Sequence, residues 1–336
     1  MNTHSARVML VAFFGAALAL ASSAAVAAKP GGGVSADPCA NTDLDFPAFA
    51  FWRPSGKTIE ILVADAEGKC VRSVIKTNGT GGTIQFSYPV VGTDGVTRGR
   101  VAWVDSPAVV AVDFTVAPGT NQISAGARRT LYSGSGGYIS LSRDGKTLYT
   151  TDYPDSGIAV IRRLQLDPLG TPTAVFTAAG SASFPASISV DGTQSLLYAD
   201  YVTFSANSLR SYQLVRIPLN GTNAYSVIDT REGASGEFNP SADPSSLTSR
   251  VAYQIPPVTS GYCDTLITSD VNGTPTAPLQ DAYVMKSTWL NGKVLADGRA
   301  PSTRGPGCSY TGRIMQTDPV TGVQTALTSG YDPDGK

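Results

Sequence analysis

Apolar and polar residues alternate in short runs along most of this chain, and the runs are separated by turns rich in Gly, Asp, Asn and Pro. A period of two is typical of β-strands that bury one face, and Thr, Val and Tyr, which favour strands, are frequent in the runs. Clear examples are Ile59–Val63, Val110–Val116, Ile158–Leu166 and Gln213–Ile217. No long helical pattern follows residue 28, so the chain is predicted to be all-β.

Two kinds of turn alternate between these strands. The first is an Asp-Gly-Lys-like turn, clearest within Ser140–Tyr149 and Ser187–Tyr198, with looser copies at Phe51–Lys57, Thr93–Val96, Ala242–Ser246, Trp289–Lys293 and Asp332–Lys336. The second is a hairpin turn, found at Asp65–Gly68, Ala117–Thr120, Asp167–Gly170, Leu219–Thr222, Asp270–Gly273 and Asp318–Gly322. Asp or Asn followed by Gly favours such turns, because the side chain caps the backbone and Gly accepts a positive φ.

The spacing of the first turn predicts the architecture. Its copies lie roughly 40–54 residues apart, which is the length of a β-propeller blade. Two turns per unit give about four strands, designated a to d from the axis outward. Six units begin near Leu44, Thr83, Gly136, Ser181, Gly236 and Ala282, and the first holds only three strands. We therefore predict a six-bladed β-propeller of four-stranded antiparallel blades over residues 44–336. The pattern leaves open whether the tail Asp332–Lys336 closes the ring or is an irregular end.

The repeats resemble the TolB-type propeller repeat, whose core is roughly P-x-W-S-P-D-G-K-x-I-x-F/Y, followed by a strand, D-x-x-G and a strand. The best matches are Phe184–Tyr198 and Tyr138–Tyr149, and Phe46–Lys57 is a fair one. The resemblance extends over nearly the whole mature chain, although most copies lack the tryptophan. It implies an exported propeller of a kind that often binds proteins, and it carries no catalytic residue across.

The first 28 residues have the features of a secretory signal: Arg7, the apolar run Val8–Leu20, and small residues at Ala25–Ala28. Cleavage there would leave a flexible lead-in at residues 29–43 and a monomeric periplasmic or secreted protein without a membrane insertion. The 25 Lys and Arg are balanced by 26 Asp and Glu without a basic run, so nucleic acid is not an expected partner.

Four cysteines, Cys39, Cys70, Cys263 and Cys308, favour disulfides in an exported protein. Of the three possible pairings we predict Cys39–Cys70, which would fix the N-terminal arm to the first blade, together with Cys263–Cys308. Reduced, buried thiols are the alternative.

Most catalytic mechanisms lack their residues in this sequence. The single histidine, His4, lies in the signal segment, so an imidazole base and the usual zinc or copper ligands are missing from the mature chain. No G-x-S-x-G sequence is present. Paired carboxylates of a glycosidase and an oxygen-liganded calcium ion stay open. No cofactor is otherwise expected.

Carboxylates recur after the b strands of several units. They are Asp105, Asp152, Asp200 and Asp297, with Gln254 in the like place of the fifth unit and Tyr153 and Tyr201 beside two of them. One interpretation is an acidic, tyrosine-lined rim, on the face of the b–c and d–a loops, that binds a cation or a partner's basic side chain. The other is that each Asp accepts backbone N–H bonds at the start of a loop. We predict a non-catalytic scaffold that binds a protein or peptide on this face, and a secreted carbohydrate-active enzyme is the alternative.

Overall fold

The computed structural model describes residues 37–40, 45–78, 83–134, 137–154, 157–180, 183–204, 210–232, 238–244, 250–255, 265–269, 274–276, 284–301 and 308–335. The predicted signal peptide and most of the lead-in lie outside this part of the chain. Within it, the helical content is one 3₁₀ turn, Pro38–Ala40, and no helix is long and apolar enough to cross a membrane.

The strands form six antiparallel sheets, which confirms the predicted six-bladed propeller. Blade 1 contains β1 (Phe49–Ser55), β2 (Thr58–Ala64) and β3 (Val71–Thr77). Blade 2 contains β4 (Ile84–Phe86), β5 (Val90–Val91), β6 (Thr97–Asp105), β7 (Ala108–Val116), β8 (Ile123–Ala125) and β9 (Arg129–Tyr132). Blade 3 contains β10 (Ile139–Leu141), β11 (Thr147–Asp152), β12 (Val160–Gln165) and β13 (Thr173–Thr177).

The second half of the ring repeats this order. Blade 4 contains β14 (Ser183–Val190), β15 (Leu196–Phe204), β16 (Arg210–Pro218) and β17 (Ser226–Glu232). Blade 5 contains, among the described residues, β18 (Ser241–Ala242), β19 (Val251–Ile255) and β20 (Thr265–Thr268). Blade 6 contains β21 (Val284–Leu290), β22 (Lys293–Pro301), β23 (Cys308–Thr317) and β24 (Gln324–Ser329), and the chain continues into β25 (Tyr331–Gly335).

The C-terminal strand closes the ring. β25 pairs antiparallel with β1 and forms the innermost strand of blade 1, with Gly335 opposite Phe49 and Asp334 opposite Ala50. The three strands predicted for the first unit are therefore completed by the tail, and the first and last described strands of the chain lie in one blade.

This closure corrects one turn assignment. The Ser55–Lys57 turn, expected to join strands a and b, joins β1 to β2, which are strands b and c once β25 is counted. It therefore lies on the opposite face from the Asp144–Lys146 and Asn291–Gly292 turns, which join strands a and b as predicted.

The apolar core is divided among the six junctions between neighbouring blades, because each sheet packs both faces against a neighbour. One cluster of buried residues lies at each junction: Phe86 and Trp103 between blades 1 and 2, Leu141 between 2 and 3, Phe176 between 3 and 4, Phe238 and Tyr253 between 4 and 5, Trp289 between 5 and 6, and Phe51 between 6 and 1. Second strands are accordingly buried on both faces, as in β11, where all six residues are buried.

A disulfide fixes the N-terminal arm to the first blade, as predicted. Cys39 and Cys70 are bonded with their Cα atoms 4.7 Å apart. The Asn121 side chain donates to the Cys39 carbonyl at 3.0 Å, so the arm also contacts blade 2. A structural disulfide fits an oxidising compartment and an exported protein. The predicted Cys263–Cys308 pair stays a prediction, since Cys263 lies outside the described residues.

Candidate binding site in the central channel

Side chains of the innermost strands link each blade to the next around the axis. At five junctions a side-chain oxygen accepts the backbone N–H of the following blade: Gln85 from Leu141, Ser140 from Val190, Ser189 from Ala242, Thr288 from Gly335 and Asp334 from Phe86, over 2.5–3.3 Å. At the junction of blades 5 and 6, the Trp289 indole donates to the Ser241 carbonyl at 2.9 Å. We call these six positions (85, 140, 189, 241, 288 and 334) the belt.

Two residues before each belt position, a second ring of side chains lines the channel. Its members are Thr83, Tyr138, Ser187, Asn239, Lys286 and Asp332, here called the mouth residues. Each precedes the belt residue of its blade in the chain, so the ring lies toward the end of the channel on the face of the b–c and d–a loops. The ring is uneven: blades 2 to 4 contribute two hydroxyl side chains and a tyrosine, whereas blades 5, 6 and 1 contribute an amide, an ammonium and a carboxylate.

Three adjacent mouth residues have left-handed backbone. The φ angles are +44° at Asn239, +49° at Lys286 and +47° at Asp332, and none of the three is glycine. The pairing of β21 with β22 and of β25 with β1 shifts register at this point, as in a β-bulge. Bulges redirect side chains and are frequent beside functional sites.

An ion pair occupies this side of the mouth. The Lys286 ammonium lies 3.0 Å from an Asp332 carboxylate oxygen, and the side chains are 35% and 9% exposed. The Trp52 indole donates to Asp332 at 2.8 Å, and its ring stacks on Tyr331 with centroids 5.0 Å apart. Asp332 is therefore held from two sides, while the Lys286 head group keeps contact with solvent.

The channel itself is a polar cavity of about 230 Å³ lined by all six innermost strands. Ligand pockets for drug-sized molecules span roughly 300–1,000 Å³. This cavity is smaller, so its volume would accommodate only part of a ligand of that size.

A larger cleft of about 710 Å³ lies on the opposite face, between blades 2 and 3. Its floor contains Phe114 and the Arg100 guanidinium, which lies 2.5 Å from Asp113 and 3.0 Å from Asp167. Burial alone would lower the pKa of Arg100, but hydrogen bonds and attraction from the two carboxylates outweigh it and raise that pKa. The charged groups of this floor are engaged with one another, which favours a structural role.

Two of the predicted site carboxylates hold backbone in the neighbouring blade. Asp200, 0% exposed, accepts the Phe238 N–H at 2.9 Å, and Asp297, 4% exposed, accepts the Asp332 N–H at 2.7 Å. Both bonds cross a blade junction. The second interpretation of the sequence expected each Asp to accept backbone N–H bonds at the start of a loop.

The other predicted residues also make contacts between strands or blades. Asp152 accepts from Arg162 at 2.6 Å, and Asp105 pairs with Arg128. The Tyr153 hydroxyl donates to the Pro185 carbonyl at 2.7 Å, and the Tyr201 hydroxyl accepts the Ala179 N–H at 3.1 Å. A ligand-binding role for these residues stays a prediction.

The pairing register separates the four carboxylates into two sets. The belt residues Ser140 and Ser189 pair with Tyr149 and Tyr198. Thr151 and Asp200 lie two residues after these partners and are equivalent. Asp152 and Tyr201 lie three residues after them and are equivalent to each other. By the same rule Asp297 shares the position of Asp200, and Asp105 that of Asp152. Because successive residues of a strand point to opposite faces, the two sets project from opposite faces of their blades.

Sequence reasoning did not identify Asn239, Lys286 and Asp332. Asp332 belonged to a recognised turn-like copy, but only ring closure places it in the channel. Among the described residues no group of three or more His, Cys, Asp or Glu is arranged to hold a metal ion. A calcium site elsewhere remains an open expectation.

Comparisons with known proteins support the fold. The chain matches no protein-family profile, and no curated protein matches it by sequence. TolB from Acinetobacter baumannii superposes with a TM-score of 0.55 at 14% identity, covering 85% of this chain and 65% of that one. A protein assigned as TolB from Agrobacterium tumefaciens gives 0.49 at 12% identity, covering 83% and 92%. A protein assigned as a 6-phosphogluconolactonase from Bacteroides uniformis gives 0.48 at 11% identity, covering 85% and 98%.

The A. baumannii comparison confirms a TolB-like propeller fold. At this identity it shows the fold alone and assigns no residue or partner. The chain spans 65% of the length of that TolB.

Proposed function

We propose that this protein is an exported, non-catalytic propeller that binds a protein or peptide segment at the mouth of its central channel, on the face of the b–c and d–a loops. The observation that carries the proposal is the arc of Asn239, Lys286 and Asp332, three polar side chains in left-handed backbone that line one side of the mouth. Unfavourable backbone conformations persist only where surrounding structure holds them, and they concentrate at functional sites.

The size and chemistry of the channel favour a chain segment over a free small molecule. A volume of about 230 Å³ accepts part of a ligand, and the amide, ammonium and hydroxyl groups around it offer donors to carbonyl and carboxylate oxygens. The disulfide supports export, and the repeat resemblance to TolB supports a binding role over a catalytic one.

The proposal is tested by affinity capture from the native cell envelope with the tagged, exported protein. Lys286→Met keeps the aliphatic stem and removes the ammonium, so a partner that contacts the mouth should be captured at least about tenfold less, a change of about 1.4 kcal/mol in binding. Lys146→Met is the matched control, because Lys146 is an exposed lysine on the Asp144–Lys146 turn of the opposite face.

A glycan-hydrolysis screen run in parallel addresses the enzymatic alternative. Turnover that is abolished by Asp332→Asn in a protein that still melts cooperatively would replace the binding proposal with a carbohydrate-active enzyme. Equal capture by the wild type and by Lys286→Met would move the binding surface away from the mouth.

A further inference from the structure

One register position recurs in the second strand of each blade. It lies two residues later in the chain than the residue that pairs with the belt position. In blades 1 to 6 it is occupied by Trp52, Val104, Thr151, Asp200, Gln254 and Asp297. We call it the holding position.

The type of side chain at the holding position correlates with the sign of φ at the mouth residue of the next blade. A buried carboxylate or amide occupies it in blades 4, 5 and 6, and the mouth residues that follow are Asn239, Lys286 and Asp332, all with positive φ. Trp52, Val104 and Thr151 occupy it in blades 1 to 3. The mouth residues that follow these, Thr83, Tyr138 and Ser187, have no positive φ.

Direct hydrogen bonds connect the two features. Asp297 accepts the N–H of Asp332 itself, and Asp200 accepts the N–H of Phe238, the residue before Asn239. In blade 3, by contrast, the Thr151 hydroxyl accepts the Tyr138 N–H of its own blade at 2.9 Å. A carboxylate that accepts a backbone N–H forms a charge-assisted bond, roughly twice as strong as a neutral one. Such a bond offsets the steric cost of left-handed backbone in residues that carry a Cβ.

We propose that Asp200 and Asp297, and by register Gln254, are positioning residues for recognition: they hold the channel mouth of the following blade in a left-handed turn, so that Asn239, Lys286 and Asp332 form one preorganised arc. The proposal rests on the proposed function and names the side of the mouth that recognises the partner. Asp200 and Asp297, two of the four carboxylates singled out in the sequence, thus act through the next blade, without contacting the partner themselves.

The arc suits the main chain of an extended peptide. The Asn239 amide can donate to a peptide carbonyl and accept from a peptide N–H, and the Lys286 ammonium retains donors beyond its bond to Asp332. Preorganisation limits the conformational entropy that is lost on binding. Loss of the hydrogen bond accepted by Asp200 or Asp297 should therefore weaken binding without removing any atom that contacts the peptide.

The first arm of the test measures backbone conformation by solution NMR of the full mature chain and needs no ligand. Asp297→Ala and Asp297→Thr should shift the amide resonance of Asp332. They should also change its backbone scalar couplings from the values expected for positive φ. Asp297→Asn should retain both, since an amide oxygen can still accept the N–H. Threonine occupies the equivalent position in blade 3, which provides a folded variant if the alanine variant does not fold.

The second arm measures recognition with phage that display random dodecapeptides. Peptides enriched by the wild type should bind Asp297→Ala and Asp200→Ala at least about tenfold more weakly. This is the loss of affinity expected when one charge-assisted hydrogen bond no longer orders the mouth. Asp297→Asn should restore binding. Asp191→Ala is the matched control. Asp191 is a buried carboxylate that accepts the Ser195 and Leu196 N–H groups at 2.9 and 2.8 Å in a turn on the opposite face.

The outcomes separate the two proposals. If Asp332 keeps its left-handed coupling in Asp297→Thr, or if peptide binding by Asp297→Ala equals that of the wild type, the positioning role is overturned while channel binding stands. If the wild type enriches no peptide and captures no envelope protein, the proposed function fails and the recognition role fails with it. The NMR arm then still shows whether the hydrogen bond from the Asp332 N–H to Asp297 determines the backbone conformation of Asp332.

Discussion

At the scale of single residues, several charged side chains of this protein join neighbouring strands. Asp152 is an example: its carboxylate, 9% exposed, accepts from Arg162 on the adjacent strand β12. The hydrogen bond that Arg162 donates to Asp152 raises the pKa of Arg162. Burial raises the pKa of Tyr132, and its hydrogen bond to the same carboxylate raises it further. A residue chosen from the sequence as a ligand contact is thus engaged within the fold.

A double-mutant cycle measures this pair. Asp152→Asn and Arg162→Met should each destabilise the protein, with a coupling energy of about 1–2 kcal/mol, because the pair is partly buried and exposed pairs contribute only about 0–1 kcal/mol. Urea unfolding of the four proteins provides the values. Arg163→Met, which alters an exposed neighbour, should change stability by less than about 0.5 kcal/mol. A coupling near zero would show that the contact between Asp152 and Arg162 does not contribute to stability.

At the scale of elements, turns of the same sequence type differ in what surrounds them. Gly145 and Gly292 both lie in turns that join strands a and b, with φ of +69° and +74°. A Cβ at Gly145 would lie 2.7 Å from the Ser87 Cβ of blade 2, whereas a Cβ at Gly292 would meet nothing within 4 Å. The first turn therefore belongs to the packing of a blade junction, and the second faces open space.

Alanine at the two positions separates backbone strain from packing. Gly292→Ala should cost about 1–2 kcal/mol, the penalty of left-handed backbone for a residue with a Cβ. Gly145→Ala should cost about 1–3 kcal/mol more, because the junction of blades 2 and 3 would be overpacked. Chemical denaturation of both variants under one set of conditions tests the difference. Equal losses in the free energy of unfolding would show that the junction accommodates the added methyl group without destabilisation.

At the scale of the whole molecule, the pairing and packing of β25 close the ring. β25 supplies the pairing with β1, the Asp334 bond to the Phe86 N–H, the stacking of Tyr331 on Trp52, and the mouth residue Asp332. The element that completes the fold also completes the candidate site.

Removal of residues 331–336 should therefore abolish closure and binding together. The truncated chain should lose cooperative unfolding, since β1 would expose an unpaired edge and two junctions would lose partner atoms. A chain that ends at Gly335 is the control and should melt like the full-length protein. Added peptide with the sequence of residues 327–336 should restore part of the transition. A truncated chain that melts cooperatively at the same temperature would show that β25 is dispensable.

The sequence alone determined the strand content and the blade number. Both depend on local signals: a period of two, turn residues at fixed offsets, and a repeat length set by four strands. It also predicted the Cys39–Cys70 bond, one of three possible pairings, which the structure confirmed. It also indicated the short first blade, because three strands precede the second repeat.

Only the tertiary structure decided which strand comes first in blade 1 and which residues line the channel. A one-residue difference in register moves a side chain to the other face of a strand. Asp152 and Asp200 occupy similar sequence contexts yet differ by that one residue, and local pattern does not resolve it. The arc of Asn239, Lys286 and Asp332 likewise joins residues up to 93 positions apart in the chain, which become neighbours because the tail returns to β1 and closes the ring.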